Sequence, residues 1–239
     1  MTRPLKQWKV LPHGRLVDVD MSIRTVVGEI PMPLTKFPRR MTVVRLRDSR
    51  LVVFSAIALD ETEMQGLESF GRPAFLVVPS DKHRLDAGIW KARYPALQVI
   101  APKGARAAVE KIVHVDATEL DCDDPAVQFV TVPGTRDREA ALVVRTSNGV
   151  TLVLNDIVGN IPDMPGFAGW FLRRAGFVGS KPQIPKVVKL VMIHDQAALR
   201  AQLLRWAGIE SLKRILVSHG ASIEDHPREI LRELAGSLA

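Results

Sequence analysis

Residues Phe75 to Gly88 read FLVVPSDKHRLDAG, an apolar run of β-formers that breaks into a turn holding Asp81, Lys82, His83, Arg84 and Asp86. A strand ending this way either hands over to a capped helix or opens a site for a cation. Taken alone, the stretch fits the first: Ser80 or Asp81 can accept the free N–H groups of a helix read from HRLDAGIWKARYP and stopped before Pro95. Asp86 then compensates the helix dipole or pairs with Lys82 or Arg84. The second also fits, because an extended turn puts Asp81 and His83 on one side, and Asp86 enters one helical turn later.

Working outward, LQVIAP and KGARAAVEKI repeat the strand-then-helix alternation, which predicts crossover βα units on a mostly parallel sheet. Upstream, MTVVRL and RLVVFSAIAL flank a short polar turn as a hairpin, and DETEMQGLESFG reads as a helix with an acidic first turn and Gly71 as its stop. Downstream come VQFVTVPG, then AALVVRTSNGVTLVLND with Asn148-Gly149 at a hairpin turn, further helices, the strand SLKRILVSHG and a closing helix. Two sheets, each needing a partner for both faces, predict an α/β (α+β) four-layer αββα sandwich. The chain is expected to be one domain over residues 1–239, with 1–40 an N-terminal extension packing on the first sheet.

The 239 residues, 46% hydrophobic and 25% charged, suffice for a sizeable core. One cysteine, Cys122, excludes an internal disulfide framework and a Cys-rich zinc motif. With no apolar run near the N-terminus long enough for a signal peptide or a membrane span, the expected location is the cytoplasm. The net charge of +7 is spread over scattered clusters such as FPRRMTVVRLRDSR and LRRAG, with 5% aromatics, and reads as a solvated basic surface rather than a nucleic-acid or membrane face.

Polar groups recur where apolar strands end: Asp81 and His83 after FLVVP, Asp156 after VTLVLN, His219 after RILVS. Loops converge at strand ends in α/β architectures, and mixed imidazole and carboxylate ligands suit zinc, iron or manganese. His114, read on a strand face, His194 and Asp195, read as helix entry, and His226, read in a turn, find no such company. GFAGWFLRRAGFVG reads as core, dimer surface or lid.

SDKHRLDAG, VPGTRDREAALVV, TLVLND and SHG, with WKARYPALQVIAP, resemble the metallo-β-lactamase fold superfamily from about Met41 onward, in particular a branch that keeps the scaffold without the full metal motif. Laid on that superfamily's H-x-H-x-D-H-x-G motif, only His83 and Gly88 match outright. Asp81 and Asp86 stand at histidine positions, and Leu85 stands where catalytic members carry aspartate. Thr135 replaces the histidine of the Pro-Gly-His turn, whereas Asp156 and His219 match the bridging carboxylate and the last histidine. The resemblance therefore implies a reduced metal set of His83, Asp156 and His219, with Asp81 and Asp86 as substitutes. Two readings stay open. One is a hydrolase using one divalent metal on a small anionic substrate; the other is an inactive, metal-free scaffold that binds a small ligand or a protein partner. A homodimer is compatible with both.

Overall fold

Period-two alternation in the apolar strands divides their side chains between separate layers. The structure, a computed structural model, describes residues 3–31 and 36–238. One sheet has six strands in the order β1 (Val17–Asp20), β2 (Ile23–Pro31), β3 (Lys36–Arg45), β4 (Arg50–Phe54), β5 (Arg72–Val77), β6 (Gln98–Ile100). Its first three pairings are antiparallel and its last two parallel. The other sheet runs β10 (Leu212–Gly220), β9 (Gly149–Asn160), β8 (Ala140–Thr146), β7 (Val127–Thr131), with β10 parallel to β9 and the rest antiparallel.

Val52, Phe54, Phe75 and Val77 of the first sheet meet Leu142, Val144, Val153 and Leu216 of the second in a shared inner layer. The alternate residues face outward. Leu51, Val53 and Leu76 pack under Met64 and Leu67 of α1 (Glu61–Phe70), Trp90 of α2 (Ala87–Arg93) and Val109 of α3 (Arg106–Val109). Leu152, Leu154, Ile215 and Val217 pack under Val188 of α5 (Lys186–Val191), Leu199 and Leu203 of α6 (Gln196–Ala207) and Leu231 of α7 (Pro227–Gly236). This is the αββα sandwich. The first helix is capped as its sequence suggests: Asp60 accepts from the Glu63 N–H, and the Gly71 N–H closes on Leu67. Asp195 caps α6 in the same manner.

Four expectations are revised. Residues before β1 do pack on the helical side of the first sheet, where Leu5, Trp8 and Leu16 join its core, but 17–31 and 36–40 are strands of that sheet rather than an extension over it. The two strands of β2 and β3 pair through nine registered positions, burying Val26 and Met41, so the sheet continues well upstream of Met41. Arg39 and Arg40, read as solvated, are 4% and 7% exposed. The helix read from His83 starts only at Ala87, and His114 lies outside any strand. Of the 160–190 segment, α4 (Gly166–Arg174) leaves Trp170 half exposed, and α5 turns Leu190 to the surface at 84% exposure. Among the described residues no helix is long and apolar enough to cross a membrane.

Candidate metal centre

Three strand-end segments meet at one edge of the sandwich. Beyond β5 the chain crosses to the second sheet, where Ser80 bridges to Glu139 and the Ala140 N–H donates to the Pro79 carbonyl at 2.8 Å. This crossing, not a helix, carries His83 toward β9 and β10. The β9–β10 ladder jumps register between Val217 and His219, which pair with Leu154 and Gly159, so Asp156 sits in the bulged stretch and is freed to face the sheet end. Gly220 holds φ 108°, and a Cβ there would lie 2.0 Å from the Asn160 carbonyl oxygen, so only glycine lets the end of β10 stay against β9.

His83, Asp156 and His219 converge, each with a side chain only about one-tenth exposed. The Nε2 atoms of His83 and His219 each lie 3.0 Å from Asp156 Oδ1, and 3.1 Å from each other. Each of the three is held from behind. His83 Nδ1 is 2.8 Å from the Ser55 hydroxyl, and His219 Nδ1 is 2.7 Å from the Pro38 carbonyl oxygen. The Ser80 hydroxyl donates to Asp156 Oδ2 at 3.1 Å. Phe37 packs on the His219 ring with centroids 4.8 Å apart.

The donor set fits a cation. A carbonyl oxygen only accepts, so Nδ1 of His219 must carry its proton, and a neutral His219 then presents the Nε2 lone pair to the Asp156 carboxylate. Two lone pairs 3.0 Å apart repel unless a proton or a metal ion lies between them. The Ser55 hydroxyl can donate to or accept from His83, so it supports either state of that ring. Burial pushes the Asp156 pKa up, but when the His83 and His219 rings are protonated their charge and N–H groups outweigh it and hold the carboxyl well below the usual carboxylate range.

The other predicted ligands are engaged elsewhere. Asp86 is buried against Arg39, pairing Oδ2 with Nη1, and its Oδ1 accepts the Ala58 N–H at 3.0 Å. Burial raises its pKa, and Arg39 and Ala58 pull it back. Asp81 is held by Arg138 at 2.8 Å and Lys82 at 3.2 Å, and caps no helix. Thr135, fully buried, donates to the Val132 carbonyl at 2.7 Å and turns away from the cluster. The structure thus brings together His83, Asp156 and His219 and leaves Asp81 and Asp86 outside.

Sequence reading missed the supports. Glu139 is fully buried beneath Asp156: its Oε1 accepts the Asp156 and Ile157 N–H groups at 2.6 and 3.3 Å, and Oε2 accepts from Asn155 at 3.2 Å. Burial, and next the Asp156 charge, push its carboxyl well above the ordinary range against those bonds. A lone glutamate opening the apolar run EAALVV was the available signal. Ser55 takes a left-handed φ of 58°, a strained angle for serine, and no sequence signal marks it.

No protein-family model matches the chain, and no curated protein sequence does. Among solved structures, the chain superposes on the metallo-β-lactamase FIM-1 from Pseudomonas aeruginosa in its mono-zinc form with a TM-score of 0.64 at 11% identity, over 96% of this chain and 97% of that one. DIM-1 metallo-β-lactamase exposed to ceftazidime gives 0.63 at 12% identity, over 97% and 100%. A metallo-β-lactamase from Erythrobacter litoralis with β-mercaptoethanol in its active site gives 0.61 at 13%, over 93% and 96%. The chain has the metallo-β-lactamase fold.

Proposed function

We propose that the protein is a metal-dependent hydrolase built around a single divalent ion, zinc, iron or manganese, held by His83 Nε2, Asp156 Oδ1 and His219 Nε2. The observation that carries this reading is the His219–Asp156 contact, where the Pro38 carbonyl dictates the tautomer and leaves two lone pairs facing each other at 3.0 Å. The mono-zinc form of FIM-1 offers a parallel for a single ion on this fold. A bound cation supplies Lewis acidity toward a carbonyl or phosphoryl oxygen and makes water more acidic. The chain's own residues do the rest. Pro38 and Ser55 fix the two imidazole rings, and Ser80 and the Glu139-bound backbone orient the Asp156 carboxylate. Phe37 and Phe177, with ring centroids 5.6 Å apart, wall the His219 side against water. The substrate would be an ester, thioester or phosphoester carrying an anionic group.

A second reading, an inactive scaffold that binds a ligand or partner without metal, is favoured by the engagement of Asp81, Asp86 and Thr135 with protein partners. A proton on His219 would then satisfy the cluster. Metal content, measured by mass spectrometry on untagged protein after zinc or iron loading, separates the two. The hydrolase reading expects a stoichiometric ion in the wild type and its loss in Asp156→Ala and His219→Ala. Wild type holding no more metal than those variants overturns it.

A further inference from the structure

On the outer surface, one stretch brings apolar side chains and positive charge together. In α5 only Val188 is buried in the core, whereas Val187 and Val191 are about half exposed and Leu190 is 84% exposed. Spaced three and four residues apart, Val187, Leu190 and Val191 form one stripe of the helix. α4 adds Trp170, half exposed, with the Arg174 guanidinium over its ring at 5.6 Å. The two helices meet end to start. Gly176 follows α4 at φ 75°, and a Cβ there would lie 2.8 Å from the Lys186 backbone nitrogen, so glycine lets α5 begin against the end of α4.

From Met164 to His194 the chain holds five basic residues and no acidic one. Three of the five are engaged: Arg173 with Asp163 at 2.9 Å, Lys181 with Glu233 at 3.9 Å, and Lys189 with the Ser237 carbonyl at 2.7 Å. Arg174 and Lys186 are exposed and have no carboxylate partner among the described residues. Such a face calls for a partner that is both apolar and negatively charged. A second copy meets it poorly, because a twofold axis would set these cations against their own copies. A specific protein interface needs roughly 1,000 Å² of well-packed surface, far more than four apolar side chains provide, and Leu190 stands out from the surface rather than walling a groove. An anionic bilayer asks for less: a few apolar side chains that insert, an aromatic ring at head-group level, and cations on long stems that reach phosphate.

The chain between the two helices also adjoins the metal centre. Phe177 meets Phe37, which packs on the His219 ring, and the Gln183 backbone pairs with Gly159 of β9 at 2.9 Å. Both helices are thereby anchored to one wall of the centre.

We propose that the outer face of α4 and α5 docks the protein reversibly on an anionic lipid bilayer, with Trp170 and Leu190 inserted and Arg174 and Lys186 at the phosphates. Docking of this kind is independent of whether the centre holds metal.

The test is co-sedimentation of the full chain with vesicles of phosphatidylcholine alone, and of phosphatidylcholine mixed equally with phosphatidylglycerol, at low and high salt. EDTA is present throughout, so that no ion in the centre bridges to phosphate. Binding is expected on the anionic vesicles only, and high salt should release it. Arg174→Gln and Lys186→Gln should each weaken partitioning about fivefold, and Leu190→Ser about tenfold. All three positions are exposed, and matching circular dichroism would show that the fold is kept. No binding to anionic vesicles, equal binding to both vesicle types, or binding unchanged in all three variants overturns the proposal. Two results would overturn it by naming another occupant. Retention on poly-L-glutamate by a protein that ignores vesicles assigns the face to an acidic protein, and a dimer that ignores vesicles and dissociates in Leu190→Ser assigns it to a second copy.

Discussion

The loop from Ser80 to Asp86 offers three side chains that could bind a metal, and they meet opposite fates. His83 reaches across to Asp156 and His219 and finds only acceptors and lone pairs, whereas Asp81 and Asp86 each find a cation of the protein: Arg138 with Lys82, and Arg39. Residue type does not separate the two regions, since carboxylates occur in both. What separates them is the group delivered by the neighbouring strand. β3 brings Arg39 to Asp86, and two and one positions earlier brings Phe37 and the Pro38 carbonyl to His219. One strand therefore supplies the cation that closes Asp86 and the carbonyl that orients His219.

The sharpest way to break the comparison is to remove the carboxylate from the closed half. Asp86→Asn leaves Arg39 buried without its counter-charge and should cost about 3–5 kcal/mol of unfolding free energy by denaturant titration. Replacing both members with apolar residues, Arg39→Met with Asp86→Leu, should recover most of that loss, because a buried pair contributes little beyond its own satisfaction. If Asp86→Asn is instead as stable as wild type, the pair is not what holds this half together. In the open half the readout moves from stability to metal. Asp156→Ala should reduce zinc affinity by more than the roughly 10–100-fold typical of a supporting residue, and Asp81→Asn should leave it unchanged. Equal losses in the two variants would place Asp81 among the ligands and erase the distinction.

How much of this was legible follows the same division. The sandwich could be read because strands buried on both faces are continuous apolar runs, and TLVLND and RILVSHG end in the polar groups that converge. The contribution of residues 17–31 and 36–40 was lost because FPRR looks like solvated charge, although Arg40 in fact donates to the Val217 and Gly220 carbonyls at 3.0 and 2.8 Å and fastens the end of β10 to the first sheet. Burial of an arginine depends on partners distant in sequence, here 177 and 180 residues away, and local pattern carries no trace of them. Asp81 and Asp86 were overread for the same reason. Their ligand chemistry was visible and their partners were not.

A smaller effect probes the supports of the open half. Ser55→Ala removes the hydroxyl behind His83 Nδ1 and should weaken metal binding by about 10–100-fold. It should also relieve little of the left-handed strain, since alanine tolerates that φ no better than serine. Cobalt titration followed by its visible spectrum reads the affinity, and an unchanged curve would reduce Ser55 to packing.

The smallest expected effect concerns Glu139, where proton linkage rather than metal is the readout. Its folded-state pKa is raised, so the folded protein binds that proton more tightly than the unfolded chain does. The resulting stability is fully present below the ordinary value of 4.5 and is lost as pH climbs from there toward the folded value. Asp156, with a lowered pKa, does the opposite: its contribution is present above 3.8 and is lost as pH falls toward its folded value. Glu139→Gln should therefore flatten the alkaline side of the wild-type stability profile and leave the acid side in place. The amide can still accept the Asp156 and Ile157 N–H groups at one atom. A half-turn of the Asn155 amide presents its carbonyl oxygen, which has no donor in the structure, to the new N–H. That same oxygen is the natural acceptor for the hydroxyl of a neutral Glu139. Denaturant titrations of both proteins across pH 4 to 9 decide it: parallel curves would mean that Glu139 is ionised in the folded state, and that Asp156 rests on a second negative charge rather than on a neutral acid.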